Sequence, residues 1–172
     1  MENNNLTINI NLDNLKEEER AKLLEIIENA NKCKPKSKVW KPENNEHYYF
    51  IGANGSVDRF YYDDRNTYDD AKYAIGNCYK TKEEAEFAAE AYKVYVELKR
   101  YAEEHNDTEI DWTTVNTKVV IAYRHNLKMI HYVCTHNIQD IGQIYFSSEK
   151  IAMQAVEEIG EDRIKKYLFR VE

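Results

Sequence analysis

"GNCYKTKEEAEFAAEAY", Gly76–Tyr92, has a fainter counterpart 66 residues later in "GQIYFSSEKIAMQAVEE", Gly142–Glu158. Each stretch reads as a glycine, the end of a strand, a hydroxyl residue and an amphipathic helix. Gly76 lines up with Gly142, Tyr79 with Tyr145, Thr81 with Ser147 and Ala89 with Ala155. In the first stretch Thr81 stands three residues before Glu84. That spacing forms a capping box, in which each side chain satisfies a backbone amide that the first turn leaves bare. The spacing predicts a helix from Thr81 to about His105, roughly 36 Å long. Its apolar residues form a wide stripe of Ala85, Ala88, Tyr92, Tyr95 and Ala102, flanked by Ala91, Val94, Leu98 and Tyr101. One small sheet does not need so much cover, so the far end of this helix must pack on something else.

Working outward from that helix, "HYYFIGANGSVDRFYY" at 47–62 places aromatic and β-branched runs on either side of Asn54-Gly55. This is the strongest short-range hairpin signal, and it predicts strands at 48–53 and 56–62. The acidic "DDRNTYDD" that follows reads as a loop, and "AKYAIGNCY" at 71–79 as a third strand. The pattern returns in "KVVIAYRHNLKMIHYVCTHN" at 118–137, a hairpin turning at His125-Asn126, and in "IGQIYF" at 141–146. There Ser147 or Ser148 caps a helix that Gly160 ends as a C′ residue. A last short helix follows, with Ile164, Tyr167 and Leu168 on its apolar side.

The fold class read from these elements is α+β. It has two β-β-β-α units, antiparallel sheets each packed by a helix, preceded by an N-terminal strand-helix element. Duplication of one unit and convergence on a stable motif both account for the likeness. Residues 1–31 hold the strand, alternating at Leu6, Ile8 and Ile10, and a helix capped by Asp13 or Asn14. Glu17, Glu18 and Glu19 load the first turn of that helix, where the dipole favours negative charge. Neither element buries itself, so residues 6–30 offer a surface for a homodimer. Residues 32–46, with both prolines and Lys32, Lys34, Lys36, Lys38 and Lys41, read as a linker. The two units then occupy 47–106 and 117–172.

The chain carries 14 tyrosines against 5 phenylalanines, a net charge of −7 and an apolar share of 42%. Such an apolar share supports a core. The acidity argues against direct nucleic-acid binding, which draws on basic stripes, and permits a basic partner. Three widely spaced cysteines, Cys33, Cys78 and Cys134, form no CxxC and fit a reducing, cytoplasmic setting. No signal peptide or membrane span is read from the sequence.

The chemistry-bearing residues point away from catalysis. Asp58, Asp63, Asp64, Asp69 and Asp70 lack the fixed ligand offsets of a calcium loop. On a strand, Cys134 and His136 share a face that His131 does not. With 5 glycines in all, no phosphate-cradling loop is present. The reading is therefore of a protein that is no enzyme and takes no metal or cofactor. Asp63, Asp64, Asp69 and Asp70, with Tyr61 and Tyr62, are expected to bind a partner. Arg59, Arg65 and Tyr73 are the candidates for holding a small anionic aromatic ligand.

Three stretches also carry a resemblance: "NLDNLKEEERAKLLEIIENANK", "VWKPENNEHYYFIGANGSVD" and "GNCYKTKEEAEFAAEAYKVYVELKRYAEEHN". An acidic Leu-rich first helix, Trp-x-Pro before an aromatic hairpin, and Gly-Asn-x-aromatic-x-Thr before a helix resemble small proteins encoded by phages and prophages of Gram-positive hosts. The likeness covers roughly the first 105 residues. It implies a host-cell cytoplasmic protein of anti-defence type. The expected form is a stoichiometric inhibitor, anti-CRISPR-like, bound to a host defence protein such as a Cas nuclease. The alternatives are a sponge for a nucleotide immune signal and a non-enzymatic phage accessory module.

Overall fold

The computed structural model describes residues 15–32, 39–107 and 109–171, and the chain divides at Trp40/Lys41 into two compact units. The protein is α+β, with two antiparallel sheets of two strands each among the described residues. In the first unit, helix α1 (Glu17–Lys32) begins with three glutamates, and the Lys16 amide donates to the Glu19 carboxylate at 3.0 Å. Leu24, Ile26 and Ile27 on α1 are exposed. The strand read at Leu6–Ile10, the caps Asp13 and Asn14, and Lys34, Lys36 and Lys38 lie outside the described residues.

The second unit starts with the hairpin β1 (His47–Ile51) and β2 (Val57–Tyr61). Its turn spans 52–56, with positive φ at Gly55 (80°) and at no other residue of the turn. Next comes helix α2 (Thr67–Ala74), where the sequence reading has a loop and a third strand. Local chemistry explains the difference. The Asn66 side chain accepts from the Tyr68 amide at 3.0 Å, and Asp69 and Asp70 fall in the first turn, where acids suit the dipole. At the other end Gly76 takes φ 76°. Its amide donates to the Tyr73 carbonyl, and that of Asn77 to the Lys72 carbonyl. This pair of bonds is a Schellman stop, which needs a left-handed residue and so favours glycine.

What remains of the third strand is one bridge. Tyr79 exchanges two 2.9 Å backbone bonds with Tyr49. The Asn77 side chain extends the pairing, accepting from the Ile51 amide at 2.8 Å and donating to its carbonyl at 2.9 Å. The second copy contracts in the same way. Hairpin β3 (Lys118–Arg124) and β4 (Met129–Thr135) carries a bridge between Val119 and Phe146 in place of a third strand.

The likeness between the halves survives with a corrected register. Tyr79 corresponds to Phe146, which makes the matching bridge. Thr81 corresponds to Ser148, whose hydroxyl accepts from the Ile151 amide as the N-cap of helix α4 (Glu149–Ile159). Ser147 instead accepts from the Asp107 amide, while its own amide donates to the Asn106 side chain at 2.8 Å. Gly76 and Gly142 still match, with φ of 76° and 77°. The second copy therefore holds one more residue between its glycine and its bridge.

Helix α3 (Lys82–His105) has the complete capping box that Thr81 and Glu84 predict. Its first turns bury Ala85 and Ala89 beside the first hairpin. Its second half buries Val94, Leu98, Tyr101 and Ala102 against Ile151, Ala152, Ala155, Val156 and Ile159 of α4, with Val119 and Ile130 of the second hairpin and the bridging Phe146. Tyr92, placed in the apolar stripe by periodicity, is exposed. Residues 41–172 are thus one compact unit, and both repeats share α3. Helix α5 (Glu161–Ile164) and a π-helical turn (Lys165–Phe169) close the chain, with Ile164 buried and Arg163 paired in a fork to Glu97 of α3 at 2.8 and 3.2 Å.

Candidate functional site

The acidic segment 63–70 separates into inward and outward residues. Asp69 is fully buried. Its carboxylate accepts from the Tyr48 hydroxyl at 2.5 Å, the Lys72 ammonium at 3.2 Å, the Asp63 amide at 3.2 Å and the Asn66 side chain at 3.2 Å. Lys72 also donates to the Tyr48 hydroxyl at 2.9 Å and lies over the Phe50 ring at 4.3 Å. Asp70 repeats the arrangement one residue on, accepting from the Tyr62 hydroxyl at 2.5 Å and from Lys41 at 3.2 Å. Two Tyr–Asp–Lys clusters therefore fasten α2 to the first hairpin and to the segment before it.

Burial opposes the charge on Asp69, yet the bonds from Tyr48, the Asp63 amide and Lys72 outweigh it and hold its carboxyl below the usual range. The Tyr62 hydroxyl and Lys41 do the same for Asp70. Burial and the neighbouring Asp69 push the Tyr48 hydroxyl up, and burial with Asp70 raises Tyr62. Both phenols stay protonated and donate. Burial also pushes the Cys78 thiol up to about 11, which keeps it from being a ready nucleophile.

Of the six residues read as partner-binding, Asp69 and Tyr62 thus face inward, and Asp70 is tied to Tyr62 and Lys41. Tyr61 and Asp64 are exposed, and Asp63 is half-buried. Phe60, Tyr68 and Ile75, none singled out from the sequence, join them at the surface with exposures of 54, 77 and 78%. Among the described residues strand β2 is an edge, paired with β1 on one side only, while β1 has β2 on one side and Tyr79 on the other. Four of its five residues, Asp58 to Tyr61, are exposed. The alternating signal of a half-buried strand does not mark an edge, so this surface was not readable from period alone.

Arg59, Arg65 and Tyr73 do not converge. Arg59 faces Tyr49 across the β1–β2 ladder, Arg65 pairs with Asp63 at 3.5 Å, and Tyr73 lies under the Lys41 ammonium at 5.1 Å. Among the described residues, no group of three or more His, Cys, Asp or Glu side chains is placed to hold a metal. His131 contacts Arg124 at 2.9 Å, and His136 lies beyond the end of β4. No helix among the described residues is long and apolar enough to cross a membrane.

Two features escaped the sequence reading. Lys118 is buried, with its ammonium donating to the carbonyls of Asn116 and His136 at 2.9 and 3.1 Å and lying over the Trp112 ring at 5.0 Å. A groove of about 980 Å³ opens between the first turns of α3 and the C-terminal segment 162–171. Compared with family models, with curated proteins and with solved structures, the chain finds no match in any of the three.

Proposed function

We propose that this chain is a non-catalytic anti-defence protein of phage origin. It acts in the host cytoplasm as a stoichiometric inhibitor by docking on a basic, nucleic-acid-handling host effector of Cas nuclease type. The supporting observation is the open edge of β2, where Phe60 and Tyr61 are each 54% exposed beside exposed Asp58 and Asp64. Aromatic anchors of this kind carry much of the energy of protein interfaces. An open edge adds backbone pairing. A net charge of −7 favours a basic partner, steering encounter more than setting final affinity. The clusters around Asp69 and Asp70 tie α2 to Tyr48 of β1 and to Tyr62 just after β2, which lowers the ordering cost of binding.

Titration of the purified chain into purified Cas effectors tests this directly. One effector should bind at a one-to-one ratio and lose nuclease activity, with slower association as salt rises. Phe60→Ala combined with Tyr61→Ala should weaken binding by at least about tenfold, the loss of one anchoring residue. Failure to bind any effector, or binding indifferent to the double substitution, refutes the reading.

A further inference from the structure

The groove against α3 has a composition that selects for one class of small molecule. One wall is the first two turns of α3, including Phe87, and the other is the turn carrying Lys165, Lys166 and Arg170. Its volume, about 980 Å³, is at the upper end of what small-ligand sites occupy. Phe87 is held by the Tyr167 ring, with centroids 5.2 Å apart, and the Arg170 guanidinium lies 5.5 Å from the Phe87 centroid. A flat ring entering the groove would meet the Arg170 guanidinium lying over that aromatic ring, a cation–aromatic pair against which bases stack.

The charges along the groove are not spent equally. Lys165 is paired with Glu161 at 2.5 Å. The Glu84 carboxylate is taken up by the Lys80 and Thr81 amides. Lys166 and Arg170 have no carboxylate partner among the described residues, and the carboxylates of Glu83 and Asp162 make no ion pair there. Among the described residues the groove therefore offers two cations held only by ring contacts, Lys166 over Tyr167 at 5.1 Å and Arg170 over Phe87, and two carboxylates outside any ion pair, around an aromatic surface. An apolar peptide leaves all four unanswered, and inorganic phosphate answers only the cations.

We propose that the groove binds a nucleoside phosphate whose base carries an exocyclic amino group. The phosphate takes charge-assisted bonds from Lys166 and Arg170, the base packs on Phe87, and its amino edge donates to Glu83 or Asp162. This site shares no residue with Arg59, Arg65 or Tyr73, and it stands independently of docking through β2.

Calorimetric titration of the intact protein with GMP, UMP and inorganic phosphate, alongside thermal melts, tests the assignment. GMP should bind and raise the melting temperature with concentration, as mass action requires. UMP, which lacks the amino group, and inorganic phosphate should bind more weakly. Lys166→Gln with Arg170→Asn should cost about tenfold or more in GMP affinity. Both residues are exposed, and asparagine tolerates the left-handed backbone at position 170 (φ 55°), so the free protein's melting temperature should hold. Glu83→Gln with Asp162→Asn should narrow the preference for GMP over UMP. Absence of GMP binding at millimolar concentration, equal binding of UMP or of phosphate, or GMP binding untouched by the cation substitutions overturns the proposal.

Discussion

Asp69 shows how one residue is turned from surface chemistry to structure. A carboxylate in an acidic run reads as solvated, yet this one is buried among four donors. Removing it would leave the Tyr48 hydroxyl without its acceptor and the Lys72 ammonium with only the Tyr48 hydroxyl to donate to. Asp69→Ala should therefore cost about 1.5–3 kcal/mol in urea unfolding, the range for a hydrogen bond to a charged group. The pH dependence follows from the direction of the shift. The folded carboxyls of Asp69 and Asp70 lie below the usual range, whereas an unfolded Asp titrates near about 3.9. As pH falls, the unfolded chain takes up these protons first. The stabilisation is complete well above that value and is lost as pH drops through the folded pKa values. Urea midpoints measured between neutral pH and about pH 3 should fall toward acid, and the Asp69→Asn variant should fall less.

At the scale of elements, the two caps give a sharp comparison. Ser148→Ala removes the acceptor for the Ile151 amide and should destabilise α4 by about 1 kcal/mol, a typical N-cap loss. Ser147→Ala should leave the start of α4 alone and loosen the contact with Asp107. Amide exchange in the first turn of α4, compared between the two variants, checks this. The sequence made α3 legible because its box, its length and its stripe agree. The hairpins were legible because Asn54-Gly55 and His125-Asn126 separate aromatic and β-branched runs. Helix α2 was not, although Asn66 with acids behind it and Gly76 beyond its end were the needed signals. A short apolar run such as Tyr73–Ile75 satisfies strand and helix templates alike, and only the caps arbitrate. Phe60 on the β2 surface and the groove escaped for another reason. Both arise from which neighbours are missing, and local pattern carries no record of that.

For the whole molecule, sharing decides the behaviour. Leu98 is buried in a core drawn from α3, α4 and the second hairpin, while α3 also covers the first hairpin. Leu98→Ala should cost about 2–5 kcal/mol. Thermal melts followed by far-ultraviolet and tyrosine signals should shift together, because residues 41–172 form one compact unit, and small compact units unfold cooperatively. Separate transitions for the two halves would refute that. The shared helix also sets an order of events during synthesis. When the ribosome has released residues up to about 105, the first hairpin has its cover, but Val94, Leu98, Tyr101 and Ala102 face water. Their partners in α4 are translated later, so the nascent chain travels with half a core bare until residues 149–159 emerge. Truncation or stalling in that stretch exposes a sticky helix face to chaperones and proteases.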